Sequence, residues 1–207
     1  MDENLAQIEQ RIAEGDEAAL AEIFGVYRPR LKKVVDSRMD KRLQGRIDSS
    51  DILQEAYIDL TKKMKAFSKL SGRMSLFVWM RLVTKERLLQ VHRKHLNAEK
   101  RDARKEIQLA KGASTNASSV FLAEHLLGRF TSASRNAIRK EMHESLLCVL
   151  GSMDLIDHEI ITMRCFEELS NAEAAEALGL TENGASSRFV RAMTRLKKRL
   201  SEIPGFN

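Results

Sequence analysis

The chain is 207 residues long, with 43% hydrophobic residues, 31% charged residues, 5% aromatics and two prolines. That balance excludes a disordered chain, and the abundance of Leu, Ala, Lys, Arg and Glu over aromatics and prolines points to an all-helical fold. The formal net charge of +6 implies a polyanionic partner if the positive residues cluster.

The length suffices for one large or two small domains. No apolar run approaches the roughly 20 residues that span a bilayer. Met1-Asp2-Glu3-Asn4 lacks the basic start and apolar core of a signal peptide. A cytoplasmic location without a membrane span is therefore expected. Cys148 and Cys165 are not spaced as a metal pair and lie in apolar helical contexts, so both are expected to be buried, reduced thiols.

Leu5, Ile8 and Ile12 recur at helical spacing, and Gly15 ends that short helix. Asp16 can cap a second helix with an apolar face from Leu20 through Ile23, Phe24, Tyr27 and Leu31 to Val35. Pro29 predicts a kink or break there. Arg38 to Arg42 read as the charged end of this helix, closed by Gly45. Asp48-Ser49-Ser50-Asp51 then opens a third helix. Its residues Ile52, Leu53, Ala56, Tyr57 and Leu60 face a core, while Asp51, Gln54, Glu55 and Ile58 share another face. Spacing alone leaves that second face equally open to plain solvation and to a partner.

Residues Lys62 to Ser75 read as a basic loop containing Lys65, Phe67, Lys69 and Arg73. The following helix, Leu76 to His95, turns Phe77, Met80, Leu88 and Val91 inward. It presents Arg81, Lys85, Arg93 and Lys94 outward, with Lys100, Arg101, Arg104 and Lys105 beyond. A basic helix beside aromatics suits a surface that tracks a nucleic-acid backbone and stacks unpaired bases; the position of Trp79 suits a core as well. His92 and His95 lack further ligands nearby and sit among cations, so they are assigned to the basic face, and no metal or cofactor is expected.

Residues 97–134 form a polar linker that includes Gly112 to Ser119, with Val120 to Leu127 apolar enough to dock as a short helix. It separates a first domain, 1–96, from a second, 135–207. In the second, Ile138 to Leu150 and Ile156 to Phe166 are amphipathic, the latter entered at Asp154 or Asp157. Ser170 and Glu173 make a capping box, Gly179 a left-handed helix end and Thr181 a new N-cap. Ala174 and Ala175 permit close helix approach. The last helix carries Arg188, Arg191 and Arg195 with Phe189 and Met193 interleaved, and Pro204-Gly205 stops it. This is a helix-turn-helix completing a four-helix unit, with its basic helix suited to a major groove.

Over roughly 16–96 and 135–200 the chain resembles the two-domain, extracytoplasmic-function sigma factors of bacterial RNA polymerase. Asp51-Ile52-Leu53-Gln54-Glu55-Ala56-Tyr57 is similar to the family's acidic D-L-V-Q-E-T-F helix, which grips the clamp helices of the polymerase's largest subunit. Phe77-Val78-Trp79-Met80 with Arg93-Lys94 is similar to its promoter-melting F-x-A-W-L … R-R helix. Arg164-Cys165-Phe166-Glu167-Glu168-Leu169-Ser170 and Arg188-Phe189-Val190-Arg191-Ala192 resemble R-Y-F-E-G-L-S … S-R-L-x-R-A, which reads the upstream promoter element. Glu86, Gln90 and Gly184 to Ser187 depart from the family pattern.

The resemblance implies a non-enzymatic sigma factor without cofactors, whose partners are core RNA polymerase, promoter DNA and, as a candidate, an anti-sigma factor. Asp51, Gln54 and Glu55 would bind polymerase. Lys65, Phe67, Lys69, Arg73, Trp79, Arg81, Lys85, Arg93 and Lys94 would serve single-stranded promoter DNA. Thr181, Ser186, Ser187, Arg188, Arg191 and Arg195 would serve duplex DNA. A helix-turn-helix regulator acting without polymerase is the alternative, but it leaves the acidic and melting helices without a purpose. A helical enzyme built on His92 and His95 lacks any accompanying nucleophile or phosphate loop.

Overall fold

A computed structural model describes residues 2–70, 72–96, 117–127 and 136–203. All its described regular structure is helical, and the chain divides into two compact units, Met1–Lys111 and Gly112–Asn207. The expected linker stretches 97–116 and 128–135, the basic residues Lys100 to Lys105 and the stop at Pro204-Gly205 lie outside the described residues.

The first unit contains α1 (Asp2–Ala13), α2 (Glu17–Asp36), α3 (Ser49–Phe67) and α4 (Leu76–Leu96). Local chemistry sets several boundaries. Gly15 takes φ +95° after α1, a conformation that only glycine adopts cheaply. Asp16 then accepts the N–H groups of Ala18 and Ala19 at 2.9 and 3.1 Å. The Ala19 N–H, followed by the Arg11 side chain, holds the Asp16 carboxyl below its ordinary acidity range. Asp48 caps α3 by accepting the Ser50 N–H at 2.7 Å. Glu9 of α1 reaches across to accept the Leu76 N–H at 3.4 Å, so one helix helps to start another. Helices α2, α3 and α4 pack on one another around Leu20, Leu31, Leu53, Leu60, Phe77 and Met80, all buried.

Three expectations need correction in this unit. Helix α2 runs through Pro29, so the break, one of the two outcomes expected there, does not occur. It also ends at Asp36 rather than at Gly45, because Arg38, Met39 and Leu43 turn inward and are buried. The Asp40 N–H donates to Nε2 of buried His92 at 3.3 Å, a long-range bond that competes with helix continuation. The expected basic loop starts later than Lys62, because α3 continues to Phe67 and buries it.

In the second unit a helix over 117–127, here α5, precedes α6 (Asn136–Gly151), α7 (Leu155–Cys165), α8 (Asn171–Leu178) and α9 (Glu182–Ser201). Thus a fifth helix joins the expected four. Leu122, Ala123 and Leu127 of α5 enter the core with Met142, Leu146, Ile160 and Leu196. Ser119 and His158, both buried, hydrogen-bond at 3.0 Å, and Phe121 meets Phe166 edge-on at 5.3 Å. Burial of these apolar groups explains why this part of the expected linker folds onto the domain. Cys148 and Cys165 are both exposed, contrary to expectation, because each falls on the outer side of its helix. Between α7 and α8, Glu168 adopts φ 56°, where the resembled motif carries glycine. A side chain in that left-handed region costs about 1–2 kcal/mol.

Candidate nucleic-acid and polymerase interface

The helix-turn-helix is built by short-range capping. Ser170 accepts the Glu173 N–H at 3.1 Å, and Glu173 accepts the Ser170 N–H at 2.7 Å. Gly179 ends α8 at φ 65°. Thr181 opens α9 by accepting the Gly184 N–H at 3.1 Å. Asn171 ties the two helices by donating to the Glu182 carbonyl at 2.8 Å. Ala174, Ala175 and Ala185 are buried at the crossing, where larger side chains would separate the helices. A Cβ at Gly184 would lie 3.0 Å from the Thr181 hydroxyl, so the glycine leaves room for the cap.

The exposed side of α9 carries Ser186, Ser187, Val190, Arg191 and Thr194. Arg191 donates to the Ser187 carbonyl at 3.2 Å and otherwise projects from this surface. Arg188 and Arg195 lie on a different stripe of the same helix, seven residues apart. Arg188 Nε donates to Asp157 at 2.8 Å, and its Nη2 donates to Asp154 at 2.5 Å. Arg195 donates to the other oxygen of Asp157. Asp154 also caps α7; the Ile156 N–H, then the Asp157 N–H and Arg188, keep its carboxyl below the usual range. The three arginines expected on one DNA face are therefore divided. Arg191 faces outward, whereas Arg188 and Arg195 bind carboxylates of α7.

In the first unit, Asp51, Gln54, Glu55 and Ile58 are all exposed on α3. Arg87 of α4 pairs with Asp59 and lies 3.6 Å from Glu55, so part of the Glu55 charge is met inside the unit. Glu86, a departure from the family pattern, pairs with Lys63 at 2.5 Å across the α3–α4 seam.

The expected single-strand surface divides more sharply. Lys65, Lys69 and Arg73 are exposed near the α3–α4 turn, and Arg93 and Lys94 are exposed in the last turn of α4. Roughly 26 Å of helix separates these ends at 1.5 Å per residue. Lys85 between them is half-buried. Phe67, Trp79 and Arg81 are corrected to interior positions. Phe67 and Trp79 stack on each other with centroids 4.7 Å apart and are 0% and 4% exposed, and Arg81 is 1% exposed. The aromatic faces that would stack on a base already face protein. Likewise, His92 is buried rather than on the basic face, while His95 is exposed. Among the described residues no group of three or more His, Cys, Asp or Glu could hold a metal ion.

Sequence reasoning missed Asp154, Asp157 and Arg87 as groups governing these surfaces. Asp157 was legible only as a possible helix start, because its partners are 31 and 38 residues away.

An all-helical chain with a capped helix-turn-helix has the architecture on which many DNA-binding proteins are built. The family model for the ECF sigma factor matches residues 2–202, and the chain belongs to that family. It is thus a sigma factor of transcription initiation, a DNA-binding partner of RNA polymerase, in a family of non-enzymatic transcription factors. A solved structure of CnrH in complex with the cytosolic domain of CnrY has a similar fold, with a TM-score of 0.53. The two are 17% identical, over 96% of this chain and 97% of that one. No curated protein sequence matches the chain. No helix among the described residues is long and apolar enough to cross a membrane.

Proposed function

We propose that this sigma factor bridges core polymerase to promoters with two separate surfaces. The first domain, 1–96, docks on polymerase through Asp51, Gln54 and Glu55, and the second domain, centred on 135–207 and extended by α5, reads the upstream element. The observation that carries this reading is the exposed α9 face (Ser186, Ser187, Val190, Arg191), held by caps at Ser170, Gly179 and Thr181. Backbone contacts from such a helix set its register, and groove-edge contacts set sequence preference. Lys65, Lys69 and Arg73 form a cationic end that engages the melted strand's phosphates, and Arg93 and Lys94 extend the path at the other end of α4. The protein works in the cytoplasm, and an anti-sigma factor controls its access to polymerase, in analogy with CnrH seated on the cytosolic domain of CnrY.

Transcription from a genomic template library with core polymerase tests this reading. Addition of the protein should create start sites that share two elements at fixed spacing upstream. Start sites unchanged from core polymerase alone would overturn it.

A further inference from the structure

The cluster that holds Arg188 and Arg195 has a chemistry of its own. Three arginines of α9, at 188, 195 and 199, recur at i, i+7 and i+11 and so share one stripe. All three reach the turn into α7: Arg188 and Arg195 to Asp157, Arg188 also to Asp154, and Arg199 to the Ser152 hydroxyl at 2.5 Å. Beside them opens a cleft of about 390 Å³. The Asp157 side chain is 4% exposed, that of Arg188 28% and that of Arg195 56%. These exposures differentiate the two arginines. Arg188 uses its Nε and one terminal nitrogen on carboxylates and is largely enclosed. Arg195 donates through one terminal nitrogen, which leaves further N–H donors of its planar fork at the open side.

We infer that Asp157 is a positioning residue that holds Arg195, with Arg199 beside it, as a seat for a backbone phosphate of duplex DNA. The inference rests on the proposed duplex-reading role of the second domain. A buried carboxylate fixes one edge of the guanidinium, so the opposite edge meets phosphate without losing side-chain freedom at that moment. Two carboxylates against three arginines leave a net positive charge at the cleft. Arg188 is the inner member that anchors Asp157, and it does not contact DNA.

The test uses holoenzyme assembled from the full chain and core polymerase, on a promoter duplex recovered by the library transcription. Arg195→Ala should weaken promoter binding by about five- to tenfold, with a salt dependence shallower by about 0.9 in the slope of log K on log salt. In an Asp157→Asn background the same Arg195→Ala change should have less than about half of that effect in log K, because the arginine is no longer oriented. Arg195→Lys leaves Asp157 untouched and keeps the charge; it should lose most of what Arg195→Ala loses, because one ammonium cannot hold carboxylate and phosphate in a fixed fork.

An equal Arg195→Ala effect in both backgrounds, or full retention of binding by Arg195→Lys, would overturn the positioning role. Tighter binding by Asp157→Asn would also overturn it, since Asp157 would then mask the arginine. A holoenzyme that recovers no promoter would overturn the underlying reading itself, whereas strong promoter binding with unchanged salt slope in Arg195→Ala overturns only the phosphate seat.

Discussion

Helices α3 and α9 each carry a charged stripe, and the molecule treats the two differently. On α3 the carboxylates of Asp51 and Glu55 stay at the surface, and among the described residues Arg87 approaches Glu55 at 3.6 Å. On α9 two of the three expected arginines are bound to Asp154 and Asp157. The outward stripe there is led by Arg191 and small polar residues instead. Regular spacing determines which residues share a helix face. It does not determine whether their charges meet a partner within the same unit, since that depends on what the neighbouring helix places opposite. Here α7 begins with two carboxylates opposite Arg188 and Arg195, whereas α4 places Arg87 mainly on Asp59.

The strongest test of this difference reverses the surface charges of α3. Asp51→Arg with Glu55→Arg should weaken binding to core polymerase by about a thousandfold or more, since each lost hydrogen-bonded charge contact is worth roughly 2–5 kcal/mol. The buried tryptophan Trp79 reports on the fold of the same unit, and its fluorescence should be unchanged. Retained co-purification with core polymerase would remove α3 as the docking face. A smaller effect is expected on α9. Arg188→Ala should lower the stability of the second unit by about 1.5–3 kcal/mol, the range for hydrogen bonds to charged groups. Urea unfolding followed by far-ultraviolet circular dichroism measures it, alongside the salt slope of promoter binding. A shallower slope without loss of stability would return Arg188 to the DNA face and erase the contrast.

The parts legible in the sequence were those determined within a few residues. Ser170 with Glu173, Gly179, Thr181, Asp16 and Asp48 all act on N–H groups or backbone turns next to them, so their roles follow from type and spacing. The acidic face of α3 was legible for the same reason, through the three- and four-residue repeat. What escaped depends on distant partners. Phe67 reads as a loop aromatic until Trp79 is opposite it, and Arg38 reads as a helix end until the chain turns it inward. That 120–127 could dock as a short helix was legible from its apolar run, but where it docks depends on Phe166 and His158, which lie far along the chain. The family likeness pointed to two candidate partner-binding regions, but it could not distinguish an exposed arginine from one held by a carboxylate that the motif does not include.

The gentlest probe concerns a third treatment of charge, a titratable group kept neutral inside. His92 is buried, accepts the Asp40 N–H through Nε2, and has no hydrogen-bond partner at Nδ1 among the described residues. Burial is the main cause that lowers its pKa below 6.5; the Asp40 carboxylate opposes the shift and Arg42 adds to it. The unfolded chain therefore binds the proton more readily than the folded one. Stability is full above pH 6.5 and falls as the pH drops through that value toward the lower folded-state pKa, by at most about 1.4 kcal/mol per pH unit. Asp40, which Arg42 holds below 3.8, stays ionised through this window and contributes no slope of its own. Trp79 is the chain's one tryptophan, and both tyrosines also lie in the first unit, so urea unfolding followed by tryptophan fluorescence isolates this unit. Between pH 7.5 and 5.5 the midpoint should fall in the native protein. In His92→Gln, which keeps an acceptor for the Asp40 N–H but does not titrate, it should fall less. A native midpoint that rises on acidification would mean that the folded state gains the proton, placing His92 beside a stronger negative field than Asp40 provides.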